Sequence, residues 1–237
     1  MGVTTYLACW IVAGGVSACE PQGGGEPERT AVADRPRDEK LEAVIAEVDR
    51  DCRRRTVYMI GPEKARRLAE LVRQKRPGRV VECGTAIGYS GLWIARELKE
   101  LGRGKLITIE IDPTRAREAE ENFRRAGLSE FVEVKVGDAT ELLKSIEGPV
   151  DFLFLDCNFA NYDPCFVAIE DKLADGSPVV ADNVGVGAHG TAEYVRRVRS
   201  RFNSCIEWFD TDLPWHKRDA MEITSYRILR EEKAPAR

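Results

Sequence analysis

The sequence predicts an α/β domain on a mostly parallel sheet, with helices on both faces. From residue 79 onward, short apolar runs of strand length alternate with amphipathic stretches of helical period. The run at residues 150–155 is almost continuously apolar, the pattern of a strand covered on both sides. The chain has 237 residues, which suits one domain with a short appendage and a core that folds without disulfides or metal.

The elements follow in order. Residues 38–54 carry Leu41, Val44, Ile45 and Val48 at helical spacing. A second helix starts after Gly61 with Pro62 at its first position, carries Ala65, Leu68, Ala69, Leu71 and Val72, and ends before Pro77-Gly78. Five strand–helix pairs come next: strand 79–83 and helix 90–101; strand 105–109 and helix 113–126, capped by Asp112; strand 131–136 and helix 139–146; strand 150–155 and helix 162–172; strand 178–181 and helix 191–201. Two final strands, 205–209 and 222–228, lie close together in sequence and are expected to pair antiparallel.

Residues 1–37 read as a segment apart from the domain at 38–237. Tyr6 to Ala18 is an apolar run of thirteen residues, shorter than the roughly 20 that span a bilayer but of the size of a signal-peptide core. Val16-Ser17-Ala18-Cys19 resembles a bacterial lipobox, although residues 1–5 carry no Lys or Arg. Residues 20–37 have the glycines, prolines and aperiodic charges of a linker. The chain is accordingly expected to be cytoplasmic with an unstructured head, or membrane-anchored through residues 1–19. Its net charge of −4 lacks the basic footprint of a nucleic-acid binder. The seven cysteines form no C-x-x-C pair, so they read as reduced thiols, not as a zinc or dithiol motif.

The chemistry concentrates at the strand ends, where open α/β sheets bind ligands. The first strand runs into Glu82-Cys83-Gly84-Thr85-Ala86-Ile87-Gly88-Tyr89-Ser90. Its two glycines let the backbone approach a ligand closely, but the spacing is E-x-G-x-x-x-G, so the dinucleotide fingerprint is absent. The second strand ends at Glu110-Ile111, an acid placed to take both hydroxyls of a ribose. The third ends at Gly137-Asp138-Ala139, with Asp138 placed to accept from an adenine amino group. The fourth and fifth end at Asp156 and at Asp182-Asn183. If those strands are neighbours, three oxygen donors meet at one spot, a set that suits Mg²⁺.

Taken together, these stretches resemble the class I S-adenosylmethionine-dependent methyltransferases over about residues 38–230. The resemblance implies a Rossmann-like, seven-stranded methyltransferase sheet with an antiparallel last strand. It implies a cofactor site of Glu82, Gly84, Gly88, Tyr89 and Ser90 for the methionine part, Glu110 and Ile111 for the ribose, and Asp138 and Ala139 for the adenine. Ile60 and Gly61 would cover the cofactor, and Asp156 would adjoin it. Within that class the chain looks like the cation-dependent O-methyltransferases of small molecules, the group of catechol and caffeoyl-CoA O-methyltransferases. Catechol O-methyltransferase matches more closely, through Ala181-Asp182-Asn183-Val184, Tyr58-Met59-Ile60-Gly61-Pro62-Glu63-Lys64 and the tail Asp219-Ala220-Met221-Glu222. It implies S-adenosylmethionine and Mg²⁺ or another divalent cation as cofactors, Asp156, Asp182 and Asn183 as metal ligands, and a small aromatic acceptor.

Two positions depart from that family. Its general-base lysine is Phe159 here, and its acceptor-gripping glutamate falls at Leu213, beside Asp212. His189 and His216 are the candidate substitute bases, with the acidity of the metal-bound acceptor as the other route, and Phe159, Asp212, Leu213 and Trp215 are the expected acceptor contacts. The expected activity is methyl transfer to a hydroxyl of a catechol-like acceptor. The alternatives are a nitrogen or non-catechol oxygen acceptor, or a non-catalytic cofactor-binding protein.

Overall fold

The computed structural model describes residues 38–228. The segment 1–37, with its signal-like and lipobox readings, lies outside the described residues. Among the described residues no helix is long and apolar enough to cross a membrane.

Helices α1 (Glu39–Arg55) and α2 (Gly61–Lys75) precede the sheet. Asp38 caps α1 by accepting from the Leu41 N–H, and the apolar stripe Leu41, Val44, Ile45 and Val48 is buried. Then come β1 (Arg79–Cys83), α3 (Tyr89–Leu101), β2 (Lys105–Glu110), α4 (Pro113–Arg125), β3 (Val132–Val136), α5 (Ala139–Leu142), β4 (Phe152–Leu155), α6 (Tyr162–Ile169), β5 (Pro178–Ala181), α7 (Ala188–Arg201), β6 (Asn203–Asp210) and β7 (Arg218–Ser225). Asp112 caps α4 as expected.

The seven strands order as β3-β2-β1-β4-β5-β7-β6. β1 to β5 are parallel, and β7 runs antiparallel to both β5 and β6. This is the expected Rossmann-like sheet, and β4 and β5 are the neighbours that the acidic ends require. The order reverses between β1 and β4, so the crevice for a ligand opens there, outside the carboxyl ends. Two buried clusters cover the faces. One holds α1, α2 and α3 residues such as Leu68 and Leu92; the other holds α6 and α7 residues such as Phe166 and Val198.

Several boundaries differ from expectation. β7 begins at Arg218 rather than at 222 and ends at Ser225, because it pairs with all of β6 from Asp210↔Arg218 to Asn203↔Ser225. Two expected helices finish as tight 3₁₀ turns, α5 at Leu143–Ser145 and α6 at Glu170–Lys172. α7 starts at Ala188, so His189 belongs to a helix and not to a loop. Among the described residues, Cys52, Cys83, Cys157 and Cys165 are free thiols, as the sequence predicts.

Candidate active site

The strand ends open into one cavity of about 720 Å³, within the size range of small-molecule sites. Gly84 sets its floor. Its φ is +101°, and a Cβ there would lie 2.1 Å from the Asp156 carbonyl oxygen, so only glycine lets the β1 turn lie against the β4 end. Ser90 donates to Glu82 Oε1 at 2.6 Å, and Thr108 donates to Glu82 Oε2 at 2.6 Å. Glu82 itself is fully buried. Burial pushes its carboxyl up to about 7, against the lowering effect of Ser90 and Thr108.

Glu110 stands at the end of β2. Its Oε2 accepts from the Ala86 N–H at 2.7 Å and its Oε1 from the Asp112 N–H at 3.0 Å. Each oxygen can accept a further hydrogen bond, and Glu110 lines the cavity. At the β3 end, Asp138 Oδ1 accepts from the Thr140 N–H and hydroxyl and caps α5.

The acidic end is organised around a lysine to which the sequence reading gave no role. Lys64, on α2, is fully buried and donates to Asp182 at 2.6 and 2.8 Å and to Asp219 at 2.7 Å. Although burial lowers it, the charges of Asp182 and Asp219 hold Lys64 above its ordinary value, so it stays an ammonium. Asp219 also accepts from Asn183 Nδ2 at 2.7 Å and from the Val186 N–H at 2.9 Å. Against the upward pull of burial, Lys64 and these two donors hold Asp219 below the usual carboxylate range. Lys64 was legible in one respect. It sits four residues before Leu68, on the stripe that α2 buries, where a charge must find a partner.

Among the described residues no three His, Cys, Asp or Glu side chains gather as a metal cluster. The expected triad has two carboxylates and one amide, and its chemistry fits a hard divalent cation. Asp156 has no hydrogen-bond donor among the described residues, and burial followed by the charge of Asp182 pushes it well above its ordinary value. Three carboxylates, Asp156, Asp182 and Asp219, face a single ammonium, Lys64. An oxygen-liganded cation would remove that repulsion.

Of the expected site residues, Ile60, Gly84, Tyr89, Ser90, Glu110, Ile111, Asp138, Ala139, Asp156, Phe159, Asn183, Trp215 and His216 line the cavity. The others lie outside its wall. Glu82 and Asp182 are buried behind it. Gly88 caps α3, and Gly61 packs on Leu213. Leu213 is buried in the core. Asp212 is exposed and pairs with Arg53 at 3.0 Å. His189 is exposed on the first turn of α7, outside the cavity lining. His216 does line the cavity, with Nε2 buried, unbonded and 3.9 Å from Asp219. Burial, then Lys64, lowers its basicity below the ordinary 6.5. Trp215 meets Tyr58 edge-on at 5.3 Å. Phe159 is wedged against Gly187 and Gly190 and meets Tyr162 edge-on at 6.1 Å. Tyr58, Cys157 and Arg115 also line the cavity, and sequence reasoning assigned none of them.

Residues 81–184 match a family described as a methyltransferase domain. The chain is 35% identical over 129 residues to a catechol O-methyltransferase of Niastella koreensis, covering 53% of this chain and 58% of that one. It is 32% identical over 180 residues to a Mycobacterium tuberculosis protein named a probable O-methyltransferase, covering 70% of this chain and 76% of that one. The chain thus spans little more than half the length of the first relative. Its fold matches the crystal structure of an O-methyltransferase from Bacillus cereus in complex with SAH, with a TM-score of 0.67, 81% of this chain and 92% of that one covered, and 23% identity. At that identity the likeness is one of fold.

Proposed function

The chain belongs to the class I S-adenosylmethionine-dependent O-methyltransferases, in the group close to catechol O-methyltransferase, and from that membership we propose that it moves a methyl group from S-adenosylmethionine to a hydroxyl of a small aromatic acceptor, with a divalent cation held at Asp156, Asp182 and Asn183. The observation that carries this reading is the single cavity whose wall runs from Gly84, Glu110 and Asp138 to Asp156 and Asn183. A donor site and an acceptor site are continuous in it.

In this reading Glu110 takes the ribose hydroxyls with its two free lone pairs. Asp138 and Ala139 hold the adenine. The turn from Gly84 to Ser90, stiffened from behind by Glu82, holds the methionine part, and Ile60 closes over it. The cofactor, when bound, supplies an activated methyl on a sulfonium; the cation supplies Lewis-acid stabilisation of the acceptor oxyanion. The chain's own contribution is alignment, which contributes several kcal/mol when oxygen, methyl carbon and sulfur are held in line. Tyr58, Phe159 and Trp215 form apolar walls for a flat ring. No lysine stands at position 159, so the acceptor proton leaves to water by the acidity of the acceptor itself, and His216 in the wall is the alternative base.

Phe159 and the buried Leu213 favour one further reading, an acceptor other than catechol. A screen of di- and trihydroxy aromatics with radiolabelled methyl donor, with Mg²⁺ and with EDTA, tests both. Transfer that EDTA abolishes and Mg²⁺ restores is expected. Full turnover in EDTA would remove the cation, and no transfer to any acceptor by SAH-binding protein would leave a non-catalytic binder.

A further inference from the structure

Asp219 is fully buried on β7 and does not line the cavity. Its Oδ2 accepts from both Lys64 and Asn183, and its Oδ1 accepts from the Val186 N–H. The Asn183 amide is therefore committed. Its Nδ2 donates to Asp219, which leaves the side-chain carbonyl oxygen as the amide's free acceptor in a residue that lines the cavity. A flipped amide would set that oxygen against the Asp219 carboxylate, two acceptors with no proton between them. The backbone reinforces the arrangement. Asn183 has φ of 55°, and the Gly187 N–H donates to the Asn183 backbone carbonyl at 2.6 Å. Asp182, the next residue, is held by the same Lys64 that holds Asp219.

We propose that Asp219 is a positioning residue for the cation site: from behind the wall it orients the Asn183 amide so that an oxygen, not an NH₂ group, faces the cavity, and with Lys64 it sets Asn183 and Asp182 as one unit. This rests on the cation reading above. The orientation of a ligating amide is the kind of support whose loss costs about 10- to 100-fold in metal affinity.

The experiment measures Mn²⁺ affinity by calorimetry on the full chain, and SAH affinity in EDTA beside it. Asp219→Ala should lower Mn²⁺ affinity by about 10-fold or more while SAH affinity in EDTA stays near that of the parent, because Asp219 is not in the cofactor wall. Asp219→Asn, which removes the charge but keeps an oxygen for the Asn183 NH₂, should retain most of the Mn²⁺ affinity that Asp219→Ala loses. Asn183→Asp in the Asp219→Ala background should recover binding, since a carboxylate presents an acceptor in either orientation. Equal losses in Asp219→Asn and Asp219→Ala would show that charge and not orientation matters, and would overturn the proposal. So would parallel loss of Mn²⁺ and SAH affinity, or no recovery in the double variant. If the parent itself binds no Mn²⁺, the cation reading falls and takes this role with it. Binding by the parent with the wrong variant pattern sinks the positioning role alone.

Discussion

At the scale of single residues, Glu110 carries the sharpest expectation. Two backbone N–H groups already fix its carboxylate, so it meets a ligand without first being ordered. A charge-assisted hydrogen bond contributes about 1.5–3 kcal/mol. Glu110→Ala should therefore weaken SAH binding by roughly tenfold or more, and unchanged affinity in calorimetry would move the cofactor elsewhere. His216 carries a different one. Lowered by burial and by Lys64, it is neutral at pH 7, yet at 3.9 Å from Asp219 it lacks the hydrogen bond that orients a general base. The acid limb of kcat/KM should follow the phenol acidity of the acceptor across ring-substituted substrates and persist in His216→Gln. A limb that stays fixed for all acceptors and vanishes in that variant would make His216 the base. Glu82 carries the third. Its folded carboxyl titrates near 7 against the ordinary 4.5, so the native state binds the extra proton. The stability it contributes is present below about pH 4.5 and is lost as pH rises through about 7. In cofactor-free protein, Glu82→Gln should gain on the parent in thermal unfolding as pH is raised across that window. A constant difference would mean that Glu82 is already ionised in the fold.

At the scale of elements, what the sequence makes legible is what one strand or helix decides alone. β1 and β5 were expected at the observed boundaries because their apolar runs are bounded by charge or turn residues. Asp112 announced α4 through local capping. β7 was misplaced because its first residues, Arg218 and Asp219, are charged, and a charge argues against a strand until its partner is known. The partner is Lys64, 155 residues away, on a helix whose apolar stripe hides it. Asp212 and Leu213, expected as acceptor contacts, lie outside the cavity wall for the same reason. One is drawn to Arg53 on α1 and the other to the packing under Gly61, and neither pull is local. The first turn of α7 gives a test at this scale. In an open helix Gly→Ala stabilises by about 1 kcal/mol. At Gly190 the new Cβ would lie 2.6 Å from the Phe159 Cβ, so Gly190→Ala should instead destabilise by about 1–3 kcal/mol. It should also shift acceptor KM more than cofactor KM, because the displaced ring walls the acceptor end. Stabilisation with unchanged acceptor KM would show that Phe159 is free to move.

At the scale of the molecule, the cavity lies where the strand order reverses, and it joins two sets of elements. β1, β2 and β3 bring Gly84, Glu110 and Asp138; β4 and β5 bring Asp156 and Asn183. A cofactor seated there binds the folded state alone, because the unfolded chain has no such wall. Ligand at about 100 times its dissociation constant stabilises the fold by about 2.7 kcal/mol. For a domain of this size each kcal/mol raises the melting temperature by roughly 2–4 °C. SAH should thus raise Tm by roughly 5–11 °C, and Glu110→Ala should remove most of that rise at the same ligand concentration. A divalent cation should add a further rise by relieving the repulsion between Asp156 and Asp182, and Asp156→Asn should abolish that second rise while leaving the first. The two rises depend on different strands, so their separate loss in the two variants is the signature of one cavity with two loads. If Asp156→Asn removed both rises together, or if SAH left Tm unmoved, the wall from Glu110 to Asp156 would not be a continuous cofactor and cation site.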